Sequence, residues 1–316
     1  MRAWQVVENG EPSSVMRLSD VDEPAPGEGE VLVRVRAVAL NFPDVLLARG
    51  QYQIRPPLPF TPGVELCGEV VETGERVIGS PVLPHGALAE FAVMNRAELL
   101  PAPSSLDDAE AASLLIAYQT GYFALHRRAR LQPGETLLVH AAAGGVGSAA
   151  VQLGKAAGAT VIAVVGGAQK AAAVKDADVV IDRREQDFVA VVKEVTGGRG
   201  ADVIYDPVGG EAYAGSAKCV AFEGRILVIG FAGGTIPTPT LSHALIKNYS
   251  IVGVHWGLYR QYDPQSIVDA HAELTGMADA GTLRPLIGGH LSMDQAAEGL
   301  TRLGAGETMG RLVVTP

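Results

Sequence analysis

The chain has 316 residues, of which 47% are hydrophobic and 19% charged, and its formal net charge is −10. This length exceeds the usual size of one compact core, so it predicts two packed domains, ordered nearly throughout. The negative charge excludes a general nucleic-acid-binding or acidic-membrane surface, because such surfaces need clustered lysine and arginine. Two cysteines, Cys67 and Cys219, are too few for a disulfide framework or a cysteine-rich zinc lobe.

The first residues also limit where the protein is expected to work. Met1 to Glu8 contain no basic stretch followed by an apolar core, and no apolar run reaches the length of a membrane span. We therefore expect neither a signal peptide nor a membrane-spanning helix. With so few cysteines, the reducing cytoplasm is the simplest compartment.

Hydrophobic patterning changes along the chain. Up to about Arg96, short apolar or alternating stretches such as 30–38 and 64–71 are separated by proline and glycine, which predicts a small antiparallel barrel. After Pro101, strand and helix patterns alternate, which predicts βαβ units and a parallel sheet of five or six strands. The predicted strands are 136–140, 160–165, 179–182, 203–206 and 225–230, and the predicted helices are 109–128, 145–157, 188–195 and 213–220.

The last part of the chain predicts a return to the first domain. Helices are expected over 264–280 and about 294–303, followed by a strand over 311–315. We expect this strand to join the barrel. No internal repeat or low-complexity tract is visible in the sequence.

A glycine-rich turn lies between a strand and a helix within 136–153. Its residues are Ala143, Gly144, Gly145, Val146 and Gly147. Small residues let the backbone approach a pyrophosphate, and the start of a helix offers free N–H groups to it. Gly147 would also permit close packing of the helix on the sheet. The order of strand, turn and helix predicts a dinucleotide site; a tight turn without a ligand is the alternative.

The turn after the second strand of this unit indicates which dinucleotide binds. NAD-binding folds usually place an acidic residue here for the ribose hydroxyls, but this chain continues with Gly166, Gly167 and, shortly after, Lys170. Lys170 is within reach of a 2′-phosphate, and Arg183 is a second candidate cation. We therefore expect NADPH. The alternative is that both cations are solvated surface charges.

With these motifs, the chain resembles the zinc-free quinone oxidoreductase (zeta-crystallin-like) branch of the medium-chain dehydrogenase/reductase superfamily over nearly its whole length. The resemblance rests on seven segments: 39–44, 50–52, 61–68, 117–120, 141–147, 205–210 and 224–230. It implies an α/β fold in which a Rossmann doubly wound parallel sheet, 118–257, is inserted in a GroES-like mainly-β catalytic domain, 1–117 and 258–316. It also implies a cofactor in the cleft between the two domains, and commonly a homodimer.

The resemblance further implies which residues form the site. Asn41 is expected near the nicotinamide ribose and the substrate, and Tyr52 is expected to face the substrate. The expected cofactor residues are Asn41, Thr120, Ala143, Gly144, Gly145, Val146, Gly147, Gly167, Lys170, Arg183, Gly230, Phe231, Trp256, Met309 and Arg311. Phe231 and Trp256 would wall the nicotinamide pocket, or else are packed core aromatics. Arg183 and Gly167 replace a tyrosine and a serine of many relatives, which implies altered phosphate recognition.

Metal chemistry is not expected. Alcohol dehydrogenases of this superfamily hold a catalytic zinc with cysteine and histidine, because the metal polarises the alcohol oxygen. Here the first of those positions is Asn41, and the usual Gly-His-Glu run reads Gly63-Val64-Glu65. The seven histidines are scattered along the chain, with no pair at metal-ligand spacing.

Without a metal, the expected substrate is a quinone or another α,β-unsaturated carbonyl, which accepts hydride readily at carbon. Tyr52 and Asn41 are expected to donate hydrogen bonds to the developing oxygen, and Tyr52 is a candidate for the final proton. One alternative is an enoyl-thioester or enone reductase. Another is a structural or regulatory protein that binds NADPH without turnover.

Overall fold

The computed structural model describes residues 1–316 and divides into two compact units. Unit 1 comprises Met1–Leu115 and Thr275–Pro316, and unit 2 comprises Ile116–Leu274. The predicted fold class is confirmed: a parallel-sheet domain is inserted in a mainly-β domain. The second division falls later than residue 257, because the segment before Thr275 is bonded to unit 2. For example, the Gln119 amide donates to the Ile267 carbonyl at 3.0 Å.

Unit 1 begins with a two-stranded ribbon and continues as a mostly antiparallel sheet. Its first elements are β1 Arg2–Val6, α1 Pro12–Val15, β2 Met16–Asp20, β3 Glu30–Ala39, α2 Phe42–Ala48, β4 Leu66–Val70, β5 Arg76–Gly79, β6 Phe91–Asn95, a 3-10 turn Arg96–Glu98, β7 Leu100–Pro101 and α3 Asp108–Ala112. Along β3, Val31, Val33 and Val35 are buried whereas Arg34 and Arg36 are exposed. This alternation follows from the two faces of a strand and places β3 on the core.

Unit 2 contains six parallel strands with helices between them. Its elements are α4 Leu115–Tyr122, a π-helical turn Phe123–Arg128, β8 Thr136–Val139, α5 Gly145–Ala156, β9 Thr160–Val165, α6 Ala168–Ala173, β10 Val179–Asp182, α7 Phe188–Val195, β11 Ala201–Asp206, α8 Gly210–Cys219, β12 Val220–Val228, α9 Leu241–Lys247, β13 Ser250–Gly253, α10 Gly257–Tyr262 and α11 Pro264–Asp279. The strand order is β10-β9-β8-β11-β12-β13. The order therefore reverses between β8 and β11, the switch point at which such sheets bind ligands.

The chain then returns to unit 1. The returning elements are β14 Ile287–Ser292, a 3-10 turn Met293–Gln295, α12 Ala296–Gly304 and β15 Arg311–Thr315. β15 pairs antiparallel with β3, with Val313 opposite Ala39, and parallel with β14. The predicted return of the last strand is confirmed. Because Asn41 follows β3 and Arg311 begins β15, this pairing brings the two residues together.

Two local predictions differ from the structure. The single helix expected over 109–128 is broken at Ser113, whose hydroxyl donates to the Ala109 carbonyl at 2.8 Å and so competes with continued helix bonding. The barrel, expected to be antiparallel, contains one parallel pair, β14 with β15. No helix of the structure is both long and apolar enough to cross a membrane.

Candidate cofactor and substrate sites

Most of the expected cofactor residues in unit 2 share one edge of the parallel sheet. Each follows the carboxyl end of a strand: 143–147 after β8, Gly167 and Lys170 after β9, Arg183 after β10, Gly230 and Phe231 after β12, and Trp256 after β13. Open parallel sheets bind ligands outside these ends. This edge is therefore the candidate cofactor site. Thr120 lies instead within α4 and is buried.

The glycine turn is shaped by close backbone packing. A Cβ atom on Gly147 would lie 2.2 Å from the Ala141 carbonyl oxygen, so only glycine fits there. α5 begins at Gly145, and the N–H groups of its first turn have no intrahelical acceptor. The turn therefore offers backbone donors and the positive end of a helix dipole to an anion. Its geometry fits the pyrophosphate of a dinucleotide.

Three cationic side chains, those of Lys170, Arg183 and Arg184, surround the turn that follows β9. The Asp182 carboxylate accepts hydrogen bonds from the N–H of Gly167 at 2.8 Å and of Arg184 at 3.0 Å, and so ties the turn after β9 to the turn after β10. A Cβ on Gly166 would lie 3.3 Å from Arg183 Nε, and one on Gly167 would lie 3.1 Å from Arg184 Nη1. Burial, followed by Arg184 and Arg183, lowers the pKa of Lys170. The three side chains concentrate positive charge in an acidic protein.

Arg184 was missed by sequence reasoning. The sequence does contain a signal for it, because Arg183 and Arg184 directly follow Asp182, the last residue of the predicted strand 179–182. Only Arg183, just beyond the predicted strand 179–182, was expected at the site. In the structure the chain turns after Asp182, whose carbonyl accepts hydrogen bonds from the N–H groups of Glu185 and Gln186. Both arginines therefore face the turn after β9.

His140, the first residue after β8, is buried behind the glycine turn. Its Nε2 lies 2.8 Å from Ser216 Oγ, and that hydroxyl donates to the Ala212 carbonyl at 2.7 Å. The Ser216 oxygen is therefore the acceptor, and His140 carries a proton on Nε2. Burial lowers the pKa of His140 to about 4.

This burial predicts a pH dependence of stability. The pKa of His140 is about 4 in the folded protein against an ordinary 6.5, so about 3 kcal/mol of stability is present above pH 6.5 and is lost as the pH falls towards 4. Urea unfolding of the wild type and of His140→Gln should show a difference in unfolding free energy that shrinks over this interval. Burial also raises the pKa of Asp44 to about 6, and this shift increases the stability of the folded protein as the pH falls. The contribution of Asp44 is the same in the wild type and in His140→Gln, so it cancels in the difference. Parallel curves would contradict the assignment.

In unit 1, Asn41 belongs to a buried network with Glu65 and Arg311. Asn41 Nδ2 donates to the Ala39 carbonyl at 3.0 Å and to Glu65 Oε1 at 2.8 Å, and Asn41 Oδ1 accepts from Arg311 Nη1 at 2.9 Å. Arg311 also forms an ion pair with Glu65. The exposed fractions are 2% for Asn41, 0% for Glu65 and 5% for Arg311.

This network corrects the expected chemistry of Asn41. Both amide hydrogens are already donated within the protein, so Asn41 has no donor left for a substrate oxygen, and only its oxygen remains as an acceptor. Of the terminal nitrogens of Arg311, Nη1 donates to Asn41 and Nη2 donates to Glu65. Sequence reasoning did not foresee Glu65 as a partner of either residue. No group of three or more His, Cys, Asp or Glu side chains is placed to hold a metal ion.

Tyr52 follows α2 and is half-buried against the core of unit 1. The buried Asp44 carboxylate accepts hydrogen bonds from the N–H groups of Asn41 and Gly63, both at 2.9 Å, and thereby fixes the start of α2. Burial and then the charge of Asp44 raise the pKa of Tyr52, so its phenol keeps its proton. Tyr52 is therefore a hydrogen-bond donor in unit 1. Met309 lies in the turn that leads into β15.

The chain is similar to known dehydrogenases and quinone oxidoreductase-like proteins. Residues 27–104 match the alcohol dehydrogenase GroES-like domain, and residues 145–273 match the zinc-binding dehydrogenase family. A quinone oxidoreductase-like protein 2 homolog of Nematostella vectensis is 37% identical over 301 residues, which cover 91% of this chain and 82% of the relative. The mouse quinone oxidoreductase-like protein 2 is 34% identical over 310 residues, 93% of this chain and 88% of the relative.

A solved structure extends the likeness over the whole chain. The quinone oxidoreductase of Thermus thermophilus, whose structure has also been solved in complex with NADPH, has a TM-score of 0.85 to this chain. It is 32% identical in sequence, and the match covers 100% of both chains. The similarity therefore includes both units.

Proposed function

Because the chain belongs to the zinc-free quinone oxidoreductase branch of the medium-chain dehydrogenase/reductase superfamily, we propose that it transfers hydride from NADPH to a quinone or similar conjugated carbonyl. One observation carries the proposal: a glycine turn that fits a pyrophosphate lies beside the cations Lys170, Arg183 and Arg184. The NADPH complex of the Thermus thermophilus enzyme supports the choice of cofactor.

Each part of the carboxyl edge has a proposed task. The N–H groups at the start of α5 bind the pyrophosphate, and the three cations bind the 2′-phosphate. The Asp182 carboxylate is bonded into this turn, where its Oδ1 is engaged by two backbone N–H groups. Two arginines and a lysine therefore lie where the extra phosphate of NADPH is proposed to bind. Phe231, which follows β12, is assigned to the nicotinamide end.

The proposed tasks in unit 1 follow from the hydrogen-bond donors and acceptors that Tyr52 and Asn41 have left for a ligand. Bound NADPH supplies the hydride. Tyr52 donates its phenolic proton in a hydrogen bond to the acceptor oxygen as negative charge develops there. Asn41 offers only its amide oxygen, which accepts a hydrogen bond from a hydroxyl group of the nicotinamide ribose. With no Lewis acid assigned to the carbonyl, the substrate must itself be electrophilic at carbon, as a quinone is.

Comparing acceptors tests the substrate class. The purified protein is incubated with NADPH and either phenanthrenequinone or crotonyl-CoA, and oxidation of the nicotinamide is followed. We expect rapid turnover with the quinone. Turnover with crotonyl-CoA alone would reassign the protein as an enoyl-thioester reductase. Tight NADPH binding without turnover of either acceptor would indicate a structural or regulatory nucleotide-binding protein.

We also infer a homodimer formed through unit 2. β13 pairs only with β12, so its other edge is open to a further strand. The segment that precedes β13 in the chain carries four apolar side chains that are 66–80% exposed: Ile236, Leu241, Leu245 and Ile246. Such patches mark protein interfaces. Light scattering should give twice the mass of the 32.9 kDa chain, and Leu245→Glu should lower it to one chain. A monomeric wild type would contradict the inference.

A further inference from the structure

A buried glutamine in α4 fixes the tryptophan that follows the outermost strand of the sheet. Gln119 is 0% exposed; its Oε1 accepts a hydrogen bond from Trp256 Nε1 at 3.0 Å, and its Nε2 donates to the Ile267 carbonyl at 3.0 Å. The Ile267 carbonyl can only accept, so it determines which end of the amide is the nitrogen. The amide oxygen is therefore held facing the indole N–H.

Trp256 occupies a distinct place along the cofactor edge. Lys170, Arg183 and Arg184 follow β9 and β10, on one side of β8, and Trp256 follows β13, at the far end of the strand order. A dinucleotide with its 2′-phosphate on the cations and its pyrophosphate on the glycine turn extends towards β12 and β13. Phe231 follows β12, so Trp256 lies one strand further from the glycine turn.

We propose that Gln119 is a positioning residue that holds the Trp256 indole as a fixed aromatic surface for the planar ring of the acceptor. The inference rests on the proposed quinone reductase function and specifies its substrate class as conjugated ring systems. Aromatic rings stack offset or edge to face, so the orientation of the indole decides whether it meets a planar ring productively. Trp256 is only half-buried, which leaves part of its ring accessible, whereas its N–H is fixed.

Two variants and their combination test this role. Trp256→Phe removes the N–H and keeps an aromatic ring, and Gln119→Met removes both hydrogen bonds at similar volume. Each should raise KM for phenanthrenequinone about 5-fold, with kcat and the Kd for NADPH changed less than about 2-fold. The double variant should match Trp256→Phe alone, because Gln119 has no N–H to fix in that background.

Fluorescence gives a readout independent of turnover. The chain has two tryptophans, so in a Trp4→Phe background, with excitation selective for tryptophan over tyrosine, the emission comes from Trp256. Gln119→Met should shift its emission and weaken its quenching by phenanthrenequinone. Gln265→Met is the matched control, since this exposed glutamine of α11 bonds only a surface carboxylate, that of Asp269.

The possible results distinguish a failure of this inference from a failure of the proposed function. A wild type that oxidises NADPH while KM for the quinone is unchanged in both variants overturns this inference and leaves the proposed function standing. An increase in the Kd for NADPH in place of KM overturns it as well, because the indole would then contact the nicotinamide. Absence of wild-type turnover overturns the proposed function and this inference with it. If Gln119→Met fails to fold, Trp256→Phe still decides, since it leaves the bond from Gln119 to Ile267 intact.

Discussion

Replacing Arg183 and Arg184 together by serine is expected to raise the Kd for NADPH by about 100-fold and to leave the Kd for NADH nearly unchanged. A hydrogen bond to a charged group contributes about 1.5–3 kcal/mol, and two exposed arginines at the low end of that range give about 3 kcal/mol. NADH lacks the phosphate that these side chains are proposed to bind. Titration calorimetry with both cofactors measures the difference.

The control for this variant removes the same charge elsewhere in unit 2. Arg128 and Arg130 are exposed and precede β8, so they belong to the opposite edge of the sheet. Their double replacement by serine should leave both Kd values within about 2-fold of the wild type, because charges beyond a Debye length are largely screened. If Arg183→Ser/Arg184→Ser weakens NADH as much as NADPH, the turn itself has been damaged and the phosphate site is not supported.

Tyr52→Phe is expected to lower kcat for quinone reduction by about 100-fold, the usual effect of losing one donor to a developing oxyanion. The aromatic ring stays packed against the core, so the Kd for NADPH and the thermal stability should change little. Steady-state kinetics at saturating NADPH give kcat, and the same chemical change at the exposed Tyr262 is the control. Full activity in Tyr52→Phe would remove this residue from the mechanism and leave the acceptor oxygen without an assigned donor.

Much of the fold could be predicted because its signals are local. The bounds of β9, β10, α7 and β15 agree with the sequence patterns, since each is a compact apolar run beside turn residues. β13 was not predicted, because its four half-buried or exposed residues show little periodicity. It forms through pairing with β12, which no local pattern reveals.

The candidate site, like the fold, could be predicted from the sequence only in part. The positions of the glycine turn, Lys170 and Arg183 at the ends of strands could be predicted. Small residues that let a phosphate approach the backbone, and charged residues, are both visible within short segments of sequence. The partners of Asn41 could not, since Glu65 and Arg311 are distant in sequence and meet only through the pairing of β15 with β3. For the same reason the sequence suggested Asn41 as a donor, whereas its partners leave it only an acceptor. The bond from Trp256 to Gln119 likewise depends on tertiary packing.

We propose above all that this protein oxidises NADPH with a quinone. The most direct measurement compares the initial rates at which phenanthrenequinone oxidises NADPH and NADH in the presence of the purified protein, followed by the loss of nicotinamide absorbance. We expect rapid oxidation with a strong preference for NADPH. No oxidation of either cofactor would contradict the quinone reductase assignment, and a preference for NADH would contradict the phosphate site formed by Lys170, Arg183 and Arg184.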